Sequence, residues 1–248
     1  MRADPGVARS RPGFTLVELL VVATVITTLA VLAMAAFGPM RTVAQSAYCA
    51  GSLRQLGIAT SMYLGDHRNI FFPYKIASPS GVLWYFGFET SSSLSEPEGE
   101  RSVDVTQSPL YPYVNQVSGV EVCPSFPYGM AIWKPKYQGA SWGYGYNPFL
   151  SNESILTLRP SLVILFGDCA QVNTFQAPAS PSHPMLEEFY VIEDTYTTAH
   201  FRHGTHANML FLDGHVEGMP MYPGTLDTRL PVANVGRITP VGSMQYLQ

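Results

Sequence analysis

The chain has 248 residues, 46% of them hydrophobic and only 13% charged, with a formal net charge of −4. An electrostatic nucleic-acid binder needs a basic surface, so that class is excluded and no nucleic-acid partner is expected. With 21 Gly, 20 Pro and 12% aromatic residues, the composition favours a loop-rich β domain over a helical bundle.

The first thirteen residues hold Arg2, Arg9 and Arg11. Behind them an apolar run extends from Phe14 to Phe37, in which Glu18 is the sole ionisable residue. As a helix it is about 36 Å long, enough to span a hydrocarbon core of about 30 Å. A secretory signal peptide is the alternative, but its apolar core is about 7–15 residues, and an acid near the start does not suit it. The basic flank places the N-terminus in the cytoplasm. Glu18 is costly in lipid, about 2.5–3.5 kcal/mol at a helix centre and less near the end. It either reaches interfacial water or meets a positive charge supplied nearby.

Gly38-Pro39 interrupts the apolar run and is expected to kink or locally unwind the helix, because proline removes a backbone donor. Beyond it, Cys49, Leu53, Leu56, Thr60 and Tyr63 recur at spacings of four and three and share one helix face. Gly65 offers a stop, with Asp66 opening the turn. The expected organisation is a leader over 1–13, a transmembrane helix over 14–37, an amphipathic continuation over 38–64 and a β-rich head over 65–248.

Within the head, GVLWYFGFE and SLVILFGD read as short strands. ETSSSLSEPEGERSVD reads as an exposed acidic loop, and SPLYPYVN as a short helix or turn. SWGYGYNPFL reads as aromatic packing over closely passing backbone. His200, His203, His206 and His215 cluster near the C-terminus. Ala207 to Leu212 suits a strand, and Asp213-Gly214 suits a two-residue hairpin turn with positive φ at both positions. Ten residues of strand span roughly 33 Å, so His203 and Asp213 are expected to have separate structural roles. The tail after Pro220 shows little strand signal and is expected to wrap the domain. The fold class expected from this order is α+β, a long N-terminal helix packed on a loop-rich antiparallel β-sheet head.

Gly13 followed by Phe14-Thr15-Leu16-Val17-Glu18-Leu19-Leu20 resembles the processing signal of type IV prepilins and type II secretion pseudopilins. The resemblance implies a pilin-like fold, cleavage after Gly13 by a prepilin peptidase and N-methylation of Phe14. It implies extraction of the helix into a filament, where Glu18, the fifth mature residue, pairs with the terminal amine of a neighbour. CAGSLRQLGIATSMYLGDHRNIFFP is similar to a segment of a large pseudopilin-like group, with Ser52 where that group has Asn. The same resemblance extends to Cys49 and Cys123 and implies a disulfide between them, leaving Cys169 unpaired; the residues alone equally allow three reduced, buried thiols. His203, nine residues and then Asp213-Gly214 are similar to the H-X9-DG signature of many prepilin-like proteins.

Three functions are weighed. The first is a structural pseudopilin-like subunit of an envelope filament, in a type II secretion pseudopilus or a type IV pilus. Its partners are a prepilin peptidase, copies of itself and other pseudopilins, an inner-membrane assembly platform and the lipid bilayer. It sits in a bacterial inner membrane with the head outside the cytoplasm, needs no cofactor and is not an enzyme. The second is a minor, tip-located binding or adhesin-like subunit. The third is a membrane-anchored hydrolase with a metal ion on His203, His206, Asp213 and His215, since imidazole and carboxylate are metal ligands. No two-histidine helical motif or nucleophile elbow accompanies them.

Overall fold

The computed structural model describes residues 14–114, 122–139 and 142–244, apart from the side chains of residues 35–39 and 41. The first element is a helix, α1, Leu16–Asp66. Strands β1 (Lys75–Ser78), β2 (Gly81–Trp84) and β3 (Gly87–Thr90) follow, then a one-turn helix α2 (Tyr111–Val114). Next come β4 (Trp133–Lys134), β5 (Tyr144–Tyr146), β6 (Ile164–Asp168), β7 (Gln171–Asn173) and β8 (Met185–Glu187). The last strands are β9 (Ala199–His200), β10 (His206–Phe211), β11 (Val216–Pro220) and β12 (Val235–Gly236). The architecture is α+β. The chain divides into two compact units, with the boundary after Arg41, so the second half of α1 belongs to the head unit.

α1 is helical at every position across Gly38-Pro39. The local unwinding expected there does not occur: proline removes one backbone donor, and the helix continues on both sides of that single missing bond. The helix also runs through Gly65 to Asp66. It ends in Arg68 and Asn69, both with positive φ, while the Asn69 amide donates to the Leu64 carbonyl at 2.9 Å. Asparagine tolerates that left-handed conformation, so it ends the helix where glycine was expected to.

The central sheet of the head is antiparallel, in the order β11-β10-β6-β5. α1 lays Cys49, Leu53, Leu56 and Ala59 into the core. A Cβ on Gly57 would stand 3.2 Å from the Leu210 side chain, so helix and sheet approach closely there. Tyr144 and Tyr146 of β5 are fully buried, and the Tyr146 hydroxyl donates to the Phe72 carbonyl at 3.0 Å. Gly145 between them admits no side chain, because a Cβ would lie 2.8 Å from the Cys169 side chain and from the Ile192 amide. The alternation of aromatic and glycine is thus packing over close backbone.

β2 and β3 form a hairpin with Trp84 opposite Gly87, and its turn, Tyr85-Phe86, is buried. The acidic loop after β3 is not simply exposed. Arg101 binds Glu89 of β3 at 2.7 and 2.9 Å and Glu98 at 2.7 Å. Lys134 of β4 binds Glu98 at 3.0 Å and Glu187 of β8 at 2.5 Å. These groups are buried, and each charge has a partner, as burial requires. The network ties the sheet β1-β2-β3 to the sheet β4-β8-β7. In the tail, β12 pairs with β9, Val235 opposite His200.

Candidate functional site

Two places carry the residues singled out by the sequence. In the first unit, Leu16–Met34 has a mean hydropathy of 2.5 and none of it is buried, long and apolar enough to cross a membrane. Its three threonines return their hydroxyls to the helix: Thr24 to Val21 O at 2.8 Å, Thr27 to Ala23 O at 2.9 Å and Thr28 to Thr24 O at 2.9 Å. A helix in lipid must satisfy its polar groups internally, and these do.

Glu18 has a local partner that the sequence reading passed over. Thr15 precedes the helix, and its hydroxyl accepts from the Glu18 amide at 3.2 Å. The Glu18 carboxylate in turn accepts from the Thr15 amide at 2.9 Å and from the Thr15 hydroxyl at 2.7 Å. This is a reciprocal capping box, whose signal, Thr-x-x-Glu before an apolar run, stood in the sequence. Phe14 is exposed beside it. Gly13 lies outside the described residues.

The second place lies in the head, and its hub is Asp168 at the end of β6, fully buried. One carboxylate oxygen accepts from Arg202 Nη2 at 2.6 Å. The other accepts from the Asn208 amide at 2.7 Å and meets His203 Nε2 at 3.2 Å. Burial opposes ionisation, but Arg202, His203 and the Asn208 amide outweigh it and hold the carboxyl below its ordinary range. Arg202 also donates to the Gly143 and Cys169 carbonyls. His203 Nε2 lies 3.6 Å from Cys123 Sγ. Cys123 is joined to Cys49 of α1 by a disulfide, Cα to Cα 5.5 Å. Asp168 was missed because nothing in LFGD distinguishes a buried acid at a strand end from a turn acid.

His200, at the end of β9, is buried and holds its imidazole at a pKa of about 3, chiefly through burial and secondarily through Arg202. Its Nδ1 lies 3.1 Å from Arg202 Nη1, so that nitrogen accepts and the ring is neutral. Cys169 is a free, buried thiol, pushed well up by burial, that donates to the Val191 carbonyl at 2.8 Å.

The proposed ligand set His203, His206, Asp213 and His215 does not converge. His203 faces Asp168, while exposed His206 contacts the Thr205 hydroxyl at 3.1 Å. Asp213 and His215 pair with each other at 2.5 Å. Among the described residues, Cys49, Cys123 and His203 do bring potential metal-ligating atoms within 4.8 Å, but the two sulfurs are bonded to each other.

The Asp213-Gly214 turn also differs from expectation. The Gly214 amide donates to Phe211 O at 3.0 Å and the Phe211 amide to His215 O at 2.9 Å. The loop is therefore three residues, Leu212 to Gly214. Gly214 alone has positive φ, at 89°, and Asp213 caps the loop by accepting from the His215 amide at 3.1 Å. Such loops place glycine at the left-handed position that forms a bulge.

Residues 8–34 match the model of the prokaryotic N-terminal methylation motif. Comparison with characterised proteins and with solved structures returned no significant match. A prepilin-type methylation motif that opens an apolar, membrane-length helix and leads into an α+β head supports a likeness to type IV pilin and pseudopilin precursors.

Proposed function

We propose that the mature chain begins at Phe14, N-methylated, and serves as a pseudopilin-like structural subunit of an envelope filament, of the type II secretion or type IV pilus kind. The observation that carries this reading is the match of residues 8–34 to the methylation motif, on a stretch of helix, Leu16–Met34, that buries none of its apolar surface within the chain. A prepilin peptidase cuts after Gly13. The precursor waits in the inner membrane with its N-terminus in the cytoplasm and its head outside. An assembly platform extracts it, and copies of the chain and other pseudopilins bury one another's helices. In the filament the new amine of Phe14 pairs with Glu18 of a neighbour and replaces part of the capping box. The H-X9-DG residues serve the head's structure, and no metal ion or catalytic step is needed. A minor, tip-located binding subunit is the second reading, favoured by the exposed rings of Phe175 and Tyr196.

Mass spectrometry of the membrane-extracted protein tests the processing. The expected N-terminal peptide begins at Phe14 and carries one methyl group. An intact Met1, or an N-terminus beyond residue 37, overturns the reading.

A further inference from the structure

Phe175 and Tyr196 are the two most exposed aromatic side chains among the described residues of the head, at 71% and 68%. Exposed rings are normally scattered. These two line a single cleft of about 380 Å³, shared with Phe189, Glu193 and Arg229. That size falls within the range of small-molecule sites, roughly 300–1,000 Å³.

The rim is built, not loose. Asn173 Oδ1 accepts from the Phe175 and Gln176 amides at 3.0 Å each and fixes the turn that presents Phe175. Thr198 braces the opposite loop: its hydroxyl accepts from the Glu193 amide at 3.1 Å and lies 3.2 Å from the Glu193 carbonyl. Arg229 is bound to Asp227 through two bonds, Nε to Oδ1 at 3.0 Å and Nη2 to Oδ2 at 2.6 Å. Thr197 donates to the same carboxylate at 3.0 Å. The positive charge of Arg229 is thereby matched by Asp227. Glu193 is left as the carboxylate of the cleft without an ion-pair partner among the described residues.

We propose that this cleft binds an alkylammonium group, with the ring faces of Phe175, Phe189 and Tyr196 against its apolar-clad cation and the Glu193 carboxylate balancing its charge. A cation is attracted to aromatic faces, more strongly as water is excluded. A half-buried carboxylate with no counter-ion among the described residues supplies the rest. Burial first, and the neighbouring Asp194 second, raise the carboxyl of Glu193, against a hydrogen bond with Thr195 that lowers it. A neutral ring such as a saccharide would use the same aromatic faces but would leave that charge unmatched.

The experiment titrates the full chain, in a nonionic detergent, with choline, n-butylammonium and 3,3-dimethyl-1-butanol, the last a neutral isostere of choline, followed by calorimetry. Binding of either amine, with the isostere about tenfold weaker, is expected. Preference for choline assigns a quaternary amine, and preference for butylammonium a lysine-type end. Glu193→Gln should weaken amine binding about tenfold and Tyr196→Ala about threefold. Both variants should keep the thermal midpoint of the parent, since Tyr196 is exposed and Gln preserves shape. Equal binding of choline and isostere, no amine binding, or undiminished binding by Glu193→Gln each overturns the proposal. N-terminal processing plays no part in the readout, so failure here leaves the filament reading untouched.

Discussion

The two halves of α1 follow opposite rules. From Leu16 to Met34 nothing is buried and the threonine hydroxyls turn back onto the helix. From Cys49 to Leu64 one face disappears into the core, and Thr60 there also returns its hydroxyl to Leu56 O at 2.9 Å. The first half satisfies its hydrogen bonds alone but not its apolar surface, and so depends on lipid or on other subunits. The second half gains its stability from the fold. Changes in one half should therefore leave the other's observable still.

The strongest separation comes from Glu18→Val. It removes the ionisable group from the apolar run, so membrane insertion should be equal or better. Loss of the proposed pairing group should abolish filament yield, or lower it at least about tenfold, a factor worth about 1.4 kcal/mol. The thermal midpoint of the head should not move. Filaments at normal yield, counted after cleavage and insertion have been verified, would refute the pairing role.

Asp168→Asn attacks the other side of the comparison. It leaves the buried guanidinium of Arg202 short of its counter-charge and should cost about 3 kcal/mol, read from the urea midpoint. Insertion and cleavage should be normal. An unchanged midpoint would mean that the hub is not structural.

Acid should loosen the head next. His200 has a folded pKa of about 3, well below the unfolded value near 6.5. The unfolded chain therefore binds a proton that the folded one refuses. The stability is present above about pH 6.5 and is lost as pH falls towards 3. By pH 5 the loss should reach about 2 kcal/mol, and His200→Gln should flatten the slope between pH 6.5 and 5. A midpoint constant over that window would contradict a buried neutral imidazole.

The smallest effect belongs to Gly214→Val. A Cβ there meets nothing within 4 Å, so only the backbone conformation at φ 89° resists. The expected cost is about 1–2 kcal/mol, from the same urea curves. Gly214→Asn should recover most of it, because asparagine tolerates positive φ.

Patterns with a period were legible beforehand. The buried face of Cys49, Leu53, Leu56 and Thr60 follows from helical spacing, and β6 and β10 from short apolar runs. The methylation motif was legible because its residues are contiguous. What escaped the reading depends on distant residues meeting. Asp168 gathers groups from residues 143 to 208 through side-chain geometry, and no local pattern announces that. The network of Arg101, Lys134 and Glu187 likewise hides within stretches that look like solvated loops. At Asp213-Gly214 the dipeptide indicated a turn, but the strand register, with Leu210 opposite Val216, lengthened the loop to three residues.

The hub at Asp168 also imposes an order in time. Cys49 leaves the ribosome early, whereas the residues that complete the surroundings of its disulfide, up to Asn208, are roughly 160 positions behind. At about 5–20 residues per second the interval is on the order of 10–30 s. For that period the inner face of α1, with Leu53 and Leu56, has no sheet to cover it. A nascent chain of this kind is most exposed to proteolysis and misassembly while its helix is finished and its head is not.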